Sequence, residues 1–163
     1  MPVRMKVFLY LVVAYWALES GWSIYHLGYV SSKYGNSVFI LGALFDLVDV
    51  AAAWFVASRR QGWLRWLLGL HFLFGLHDAS SIGHITRLFV LYVPNVIVLC
   101  ATLYCTFGRS ASAWFDERPV QSKGQYLLTA VGSVACGLVL GGTALTTGAA
   151  IVLMTFHPGA NVK

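Results

Sequence analysis

The sequence predicts an all-α fold, a polytopic bundle of five membrane helices that forms a single domain over residues 1–163. The first observation is composition, since 58% of the residues are hydrophobic and only 10% are charged. A soluble domain typically carries about 25% charged residues, so this chain has too little polar surface to cover a globule. The second observation is that the apolar residues cluster in segments of roughly 20 residues, the length that crosses a bilayer as a helix.

Five apolar segments define the predicted helices. They cover residues 7–29, 38–57, 63–79, 85–107 and 125–156. The first follows the charged start MPVRMK and lacks a small-x-small cleavage site, so we expect an uncleaved span and not a removed signal peptide. The third is short, because its apolar part ends at Leu76. The fifth is long and must tilt, protrude from the membrane or break near Gly141. A bundle of four spans is the alternative.

Loop charges predict that the N-terminus faces the inside. In that orientation the inside segments hold eight basic residues and the outside segments three, which is the bias that the positive-inside rule expects. The inside set is Arg4, Lys6, Arg59, Arg60, Arg65, Arg109, Arg118 and Lys123, and the outside set is Lys33, Arg87 and Lys163. Because these residues form no basic stripe, topology explains the net charge of +5, and nucleic acid is excluded as a partner. The expected location is a bacterial inner membrane or an organelle membrane.

The fifth segment differs from the others in its small residues. Four of them recur at steps of four, three and four, which places them along one stripe of the helix. They are Gly137, Gly141, Ala144 and Gly148. Such a stripe allows close approach of another helix, either within the chain, in a homo-oligomer or in a larger membrane complex. The polar stretch before it, residues 109–125, is predicted to be an inside loop in which Asp116, Glu117 and Arg118 are solvated.

Acidic residues near the middle of the apolar segments are the strongest indication of a site, because a carboxylate at that depth costs several kcal/mol and normally faces a protein interior. Glu19 lies about halfway along the first segment, and Asp46 and Asp49 lie one helix turn apart in the second. His71 is central in the third segment and Asn95 is near the centre of the fourth. These five residues are predicted to form one cluster at the middle of the membrane.

A second polar set is predicted closer to the outer side. It comprises His26, His77, Asp78, His84 and Arg87. His26 follows Glu19 by seven residues, and Asp78 follows His71 by seven, so each pair shares a helix face. The set is expected to form a vestibule that leads from the outside to the central cluster.

Three functions fit this arrangement. The first is binding or conducting a proton or small cation, because chains of Asp, Glu and His line such paths. The second is a non-catalytic role, as an accessory subunit, inhibitor or immunity protein of a larger membrane complex. The third is an intramembrane enzyme that acts on a lipid or isoprenoid, with a carboxylic acid and a histidine as acid and base. The sequence contains no nucleophile motif, and whether the chain is an enzyme stays open.

The cofactor is left open by the sequence. Glu19, Asp46, Asp49 and His71 offer carboxylate and imidazole ligands that suit zinc or non-haem iron, although no His-Glu-x-x-His motif is present. Haem is the less favoured group, with His26, His71 and His84 as candidate axial ligands. The three cysteines lie in apolar segments without a Cys-x-x-Cys pair, so they are predicted to be buried thiols and not a disulfide framework. They are Cys100, Cys105 and Cys136.

Overall fold

The computed structural model describes residues 1–25, 36–80, 91–117 and 121–156, with side chains over 1–22, 47–76, 91–109, 111–117 and 121–153. Over these ranges the chain forms helices and no strand, so the predicted all-α class is confirmed. The helices are α1 (Val3–Tyr25), α2 (Asn36–Arg59), α3 (Leu64–Ser80), α4 (Val93–Phe107), α5 (Arg109–Asp116) and α6 (Lys123–Phe156).

Each of the five predicted apolar segments contains one long helix, with bounds that differ by a few residues. α1 and α2 begin four and two residues before their predicted starts, because helical geometry continues into the flanking polar residues. α4 begins at Val93, with Pro94 in its first turn, where the missing N–H of proline costs no helical hydrogen bond. α6 runs without a break through Gly141 and Gly142.

Helix length does not support the prediction of five membrane spans. In the described part of the chain, only Lys123–Leu153 is both long enough and apolar enough to cross a membrane, while Leu64–Leu76 and Val93–Phe107 are apolar but shorter. The 15 residues of α4 extend about 22 Å, against a hydrocarbon core of about 30 Å. In α1, polar residues at both ends reduce the length of the uninterrupted apolar run.

The stretch predicted to be a loop contains a helix, α5, and this corrects the sequence-based expectation. Ala111 of α5 is buried, and Trp114 and Phe115 pack against the hydrophobic core. Asp116 and Glu117 are exposed, as expected. The helix is amphipathic, but it is only eight residues long and polar on average, so composition predicted a loop.

Four helices form a ring in which α1 packs on α2, α2 on α3, α3 on α4 and α4 on α1. α6 lies outside this ring, in the groove between α2 and α3. The core of the ring is made of aromatic and aliphatic side chains that are at most 1% exposed. They include Phe8, Val12, Val56, Leu68 and Phe72.

Arginine–aromatic contacts join the helices at one end of the ring, where α1 and α3 begin and α2 and α4 end; we call this the basic end. Arg60 directly follows α2 and has a left-handed φ of 58°, which costs a non-glycine residue roughly 1–2 kcal/mol. Its guanidinium lies 3.8 Å above the Trp114 ring and 3.1 Å from Glu117 Oε2, contacts that offset this cost. Arg65 Nη1 donates to the Thr106 carbonyl at 2.9 Å, so a cation caps the C-terminal end of α4.

Candidate functional site

An acid–histidine pair joins α2 and α3 inside the bundle. Asp49 Oδ2 lies 3.2 Å from His71 Nε2, and the two side chains are 8% and 33% exposed. Asp49 stands ten residues before the end of α2 and His71 seven residues after the start of α3, which places them about 15 Å and 10 Å from the basic end. The pair therefore lies about two to three helix turns from the basic end.

Only one oxygen of Asp49 is engaged in this pair. Asp49 Oδ1 is buried and has no hydrogen-bond partner in the part of the chain that the structure describes. A buried carboxylate oxygen without a partner is costly, and this oxygen offers an acceptor site beside His71.

Thr143 of α6 lies beside His71 on the side away from Asp49. Its Oγ1 donates to the Leu140 carbonyl at 2.9 Å and lies 3.4 Å from His71 Nδ1. Oγ1 donates to Nδ1 or accepts from it according to the tautomer of His71. Sequence analysis missed Thr143, because a threonine in an apolar helix usually bonds only to its own backbone.

Asn95, the only predicted cluster member on α4, lies one turn of α3 away from the pair. It is 2% exposed, and its amide Nδ2 is 2.7 Å from the position that a Cβ atom would take at Gly75. Asn95 Oδ1 is buried without a hydrogen-bond partner among the described residues. Asn95 thus occupies space that only a glycine at position 75 leaves open.

The remaining predicted residues do not extend the pair within the described ranges. Glu19 is half-buried on α1, which packs against α2 and α4. The side chains of Asp46, His77 and Asp78 lie outside the described residues, as do His26, His84 and Arg87 entirely. The structure therefore assembles Asp49 and His71 of the predicted central cluster, and the predicted vestibule lies outside the described part of the chain.

No metal centre is assembled from the described side chains. No three of His, Cys, Asp and Glu come together there in a way that could hold a metal ion. Of the predicted ligand set of Glu19, Asp46, Asp49 and His71, the described side chains bring Asp49 and His71 into contact. Further ligands would have to come from side chains outside the described residues, such as Asp46.

Aromatic rings from α2, from α3 and from the turn between them pack against the small residues of α6. A Cβ atom at Gly137 would overlap the Trp63 ring, and one at Gly132 would overlap the Phe55 ring. A Cβ atom at Gly148 would lie 3.5 Å from the Phe74 ring, an ordinary contact distance, and Ala144 is buried. Gly141 has no neighbouring atom within 4 Å of the Cβ position. Gly132 was not part of the predicted stripe, because it lies five residues before Gly137 and breaks its period.

Comparisons of the chain with protein-family models, with curated protein sequences and with solved structures gave no match.

Proposed function

We propose that the chain is a small integral membrane helix bundle in which the Asp49–His71 pair binds a proton and passes it along a path through the bundle. The observation that carries the proposal is the buried carboxylate oxygen of Asp49 beside a histidine that is one-third exposed. A proton can exchange between Asp49 Oδ2 and His71 Nε2 across 3.2 Å, and His71 can exchange it with its surroundings.

The distribution of polar and apolar side chains supports a membrane location. Nine of the charged side chains that the structure describes lie at or near the basic end, and only Glu19 and Asp49 lie deeper. Away from that end, large apolar side chains point outward; Ile97, Leu138 and Leu145 are 50%, 73% and 76% exposed. Exposed apolar surface of this extent fits a lipid environment or another protein.

Buried hydroxyl groups support the same location. Thr102 donates to the Val98 carbonyl at 2.8 Å and Thr106 to the Thr102 carbonyl at 2.6 Å, each one turn back along α4. Such bonds satisfy a polar group within its own helix, which is what a hydrocarbon environment requires.

A proton suits the pair better than a metal ion. One carboxylate and one imidazole are enough to hold and transfer a proton. A zinc site has three or four protein ligands, so it would need groups beyond the two that the described residues bring together.

The test is proton flux into liposomes that contain the purified protein and a trapped pH-sensitive dye, driven by a potassium diffusion potential. We expect the wild-type protein to raise the flux above that of protein-free liposomes. Asp49→Asn and His71→Gln should each lower this added flux by about 100-fold, because each removes a proton-transfer group. Asp116→Asn is the matched control, since it makes the same chemical change at an exposed position of α5 and should leave the flux unchanged.

Wild-type flux equal to that of protein-free liposomes would overturn the proposal and favour the accessory-subunit role. Flux that is unaffected by both Asp49→Asn and His71→Gln would show that any conduction uses another path. Circular dichroism and size-exclusion profiles of each variant, compared with wild type, separate a lost proton path from a lost fold.

A further inference from the structure

A cleft of about 240 Å³ opens at the basic end, between the start of α1, the end of α4 and α5. Its walls are apolar apart from one cation. Val3, Met5, Cys105, Ala111 and Trp114 supply apolar surface, and Arg4 supplies the charge. A cleft of this composition matches a molecule that carries an anionic group next to a hydrocarbon part.

Arg4 lies beside Tyr104 and Gly108. Its guanidinium carbon is 5.2 Å from the centre of the Tyr104 ring, and its Nη1 is 4.0 Å from the position that a Cβ atom would take at Gly108. A guanidinium presents several donors in a fixed plane, which suits a phosphate. The cleft therefore has a cation in one wall.

Trp114 provides a second reason to place an anion here. Its indole Nε1 is buried and lacks a hydrogen-bond partner within the described ranges. Arg60 covers its ring at 3.8 Å, and Arg4 lines the same cleft as Trp114. A ligand oxygen that reached Nε1 would satisfy this N–H.

The charge around the cleft also favours an anion. Basic side chains described at or near this end outnumber acidic ones by seven to two. The basic residues are Arg4, Lys6, Arg59, Arg60, Arg65, Arg109 and Lys123, and the acidic residues are Asp116 and Glu117. Glu117 is already paired with Arg60.

We propose that the cleft binds an anionic phospholipid from the leaflet at the basic end. The lipid phosphate contacts Arg4 and accepts from the Trp114 indole N–H, and the adjoining hydrocarbon lies against Met5, Cys105 and Ala111. A phospholipid is favoured over a free phosphate ion because the walls are mainly apolar. The proposal rests on the membrane location that we propose above, and it does not require proton transfer.

The test is native mass spectrometry of the detergent-solubilised protein with added dioleoylphosphatidylglycerol, dioleoylphosphatidylcholine or inorganic phosphate. We expect wild type to retain phosphatidylglycerol about fivefold more strongly than phosphatidylcholine, as one basic contact to an anionic headgroup allows. Arg4→Gln should remove this preference. Lys6→Gln is the matched control, because Lys6 is exposed on the same helix and does not line the cleft, and its preference should persist.

A second variant fills the cleft and keeps its charge. Ala111 is 3% exposed and lines the cleft, so Ala111→Phe should also remove the preference for phosphatidylglycerol. Unchanged preference in both Arg4→Gln and Ala111→Phe would overturn the proposal. Competition by inorganic phosphate as effective as that by phosphatidylglycerol would overturn it in favour of a free-anion site. A protein that stays soluble without detergent and retains neither lipid would instead contradict the membrane location.

Discussion

At the scale of single residues, two buried polar side chains carry the most information about the site. Asp49 is 5% exposed and Asn95 is 2% exposed, and each keeps one oxygen without a partner in the described part of the chain. A buried oxygen of this kind destabilises a fold by about 1–3 kcal/mol. The proton site that we propose would give Asp49 a functional reason to be retained, and the amide Nδ2 of Asn95 packs against α3 at Gly75.

Gly75→Ala tests that fit. The added methyl group would stand 2.7 Å from Asn95 Nδ2, so we expect a loss of about 1–3 kcal/mol in the free energy of unfolding, more than the gain of about 1 kcal/mol in helix propensity. Gly69→Ala on the same helix is the control, because its Cβ position has no neighbour within 4 Å, and it should be neutral or stabilising. Thermal unfolding in detergent, followed by tryptophan fluorescence, measures both.

Asn95→Ala, combined with Gly75→Ala, tests the contact between these two residues directly. It removes the atom that the new methyl group would meet, so the double variant Gly75→Ala/Asn95→Ala should be more stable than the sum of the single effects by about 1–2 kcal/mol. Strict additivity of the two changes would show that Gly75 and Asn95 are not in contact.

At the scale of elements, α6 is held in part by aromatic rings that enter gaps left by its glycines. The reciprocal bonds between Ser122 and Gln125 cap its first turn, with Ser122 Oγ accepting from the Gln125 N–H at 3.3 Å. Its next residues, 123–128, are exposed and extend beyond the basic end. Attachment of α6 to the ring therefore begins at Thr129, which is 2% exposed.

Gly137→Ala tests this mode of attachment. Its methyl group would overlap the Trp63 ring, so we expect a loss of about 1–3 kcal/mol in the free energy of unfolding. Gly141→Ala, one turn further along, meets no atom within 4 Å and should gain up to about 1 kcal/mol from helix propensity. Unfolding by sodium dodecyl sulfate distinguishes the two. Equal effects at both positions would mean that the ring of Trp63 does not lie against α6.

The elements were largely predictable and their exact bounds were not. Apolar runs identified α1, α2, α3, α4 and α6, because the hydrophobic pattern dominates over helices of 15 residues or more. α5 was missed, since its order depends on tertiary contacts of Trp114 and Phe115 with arginines from distant parts of the chain. α6 continues through Gly141 and Gly142, so glycine content alone does not predict a helix break.

At the scale of the whole molecule, the arrangement of charge predicts one orientation in the membrane. If the basic end faces the inside, a cysteine introduced at exposed Asp116 should react with a membrane-impermeant maleimide only in inverted or permeabilised vesicles. The background carries Cys100→Ser, Cys105→Ser and Cys136→Ser, so the new thiol is the only target. Labelling of Asp116→Cys in intact, right-side-out vesicles would reverse the proposed orientation.

The site was predictable in part at this scale. Asp49 and His71 were placed at one depth because each lies well inside its apolar segment, and depth along a helix follows from residue number. Their direct contact was not derivable, since it depends on the rotation of α2 relative to α3. Thr143 could not be found, because the sequence does not show that α6 lies on the His71 side of the ring.

The position of α6 outside the four-helix ring has a consequence for biogenesis. The chain is synthesised from its N-terminus, so α1 to α4 leave the ribosome before α6 does. The ring can bring Asp49 and His71 together during that interval, but the hydroxyl of Thr143 reaches His71 Nδ1 only when the last helix docks on α2 and α3. The contact between Thr143 and His71 thus forms only after α6 has been synthesised. A nascent chain that stops before α6 would carry the Asp49–His71 pair without this contact.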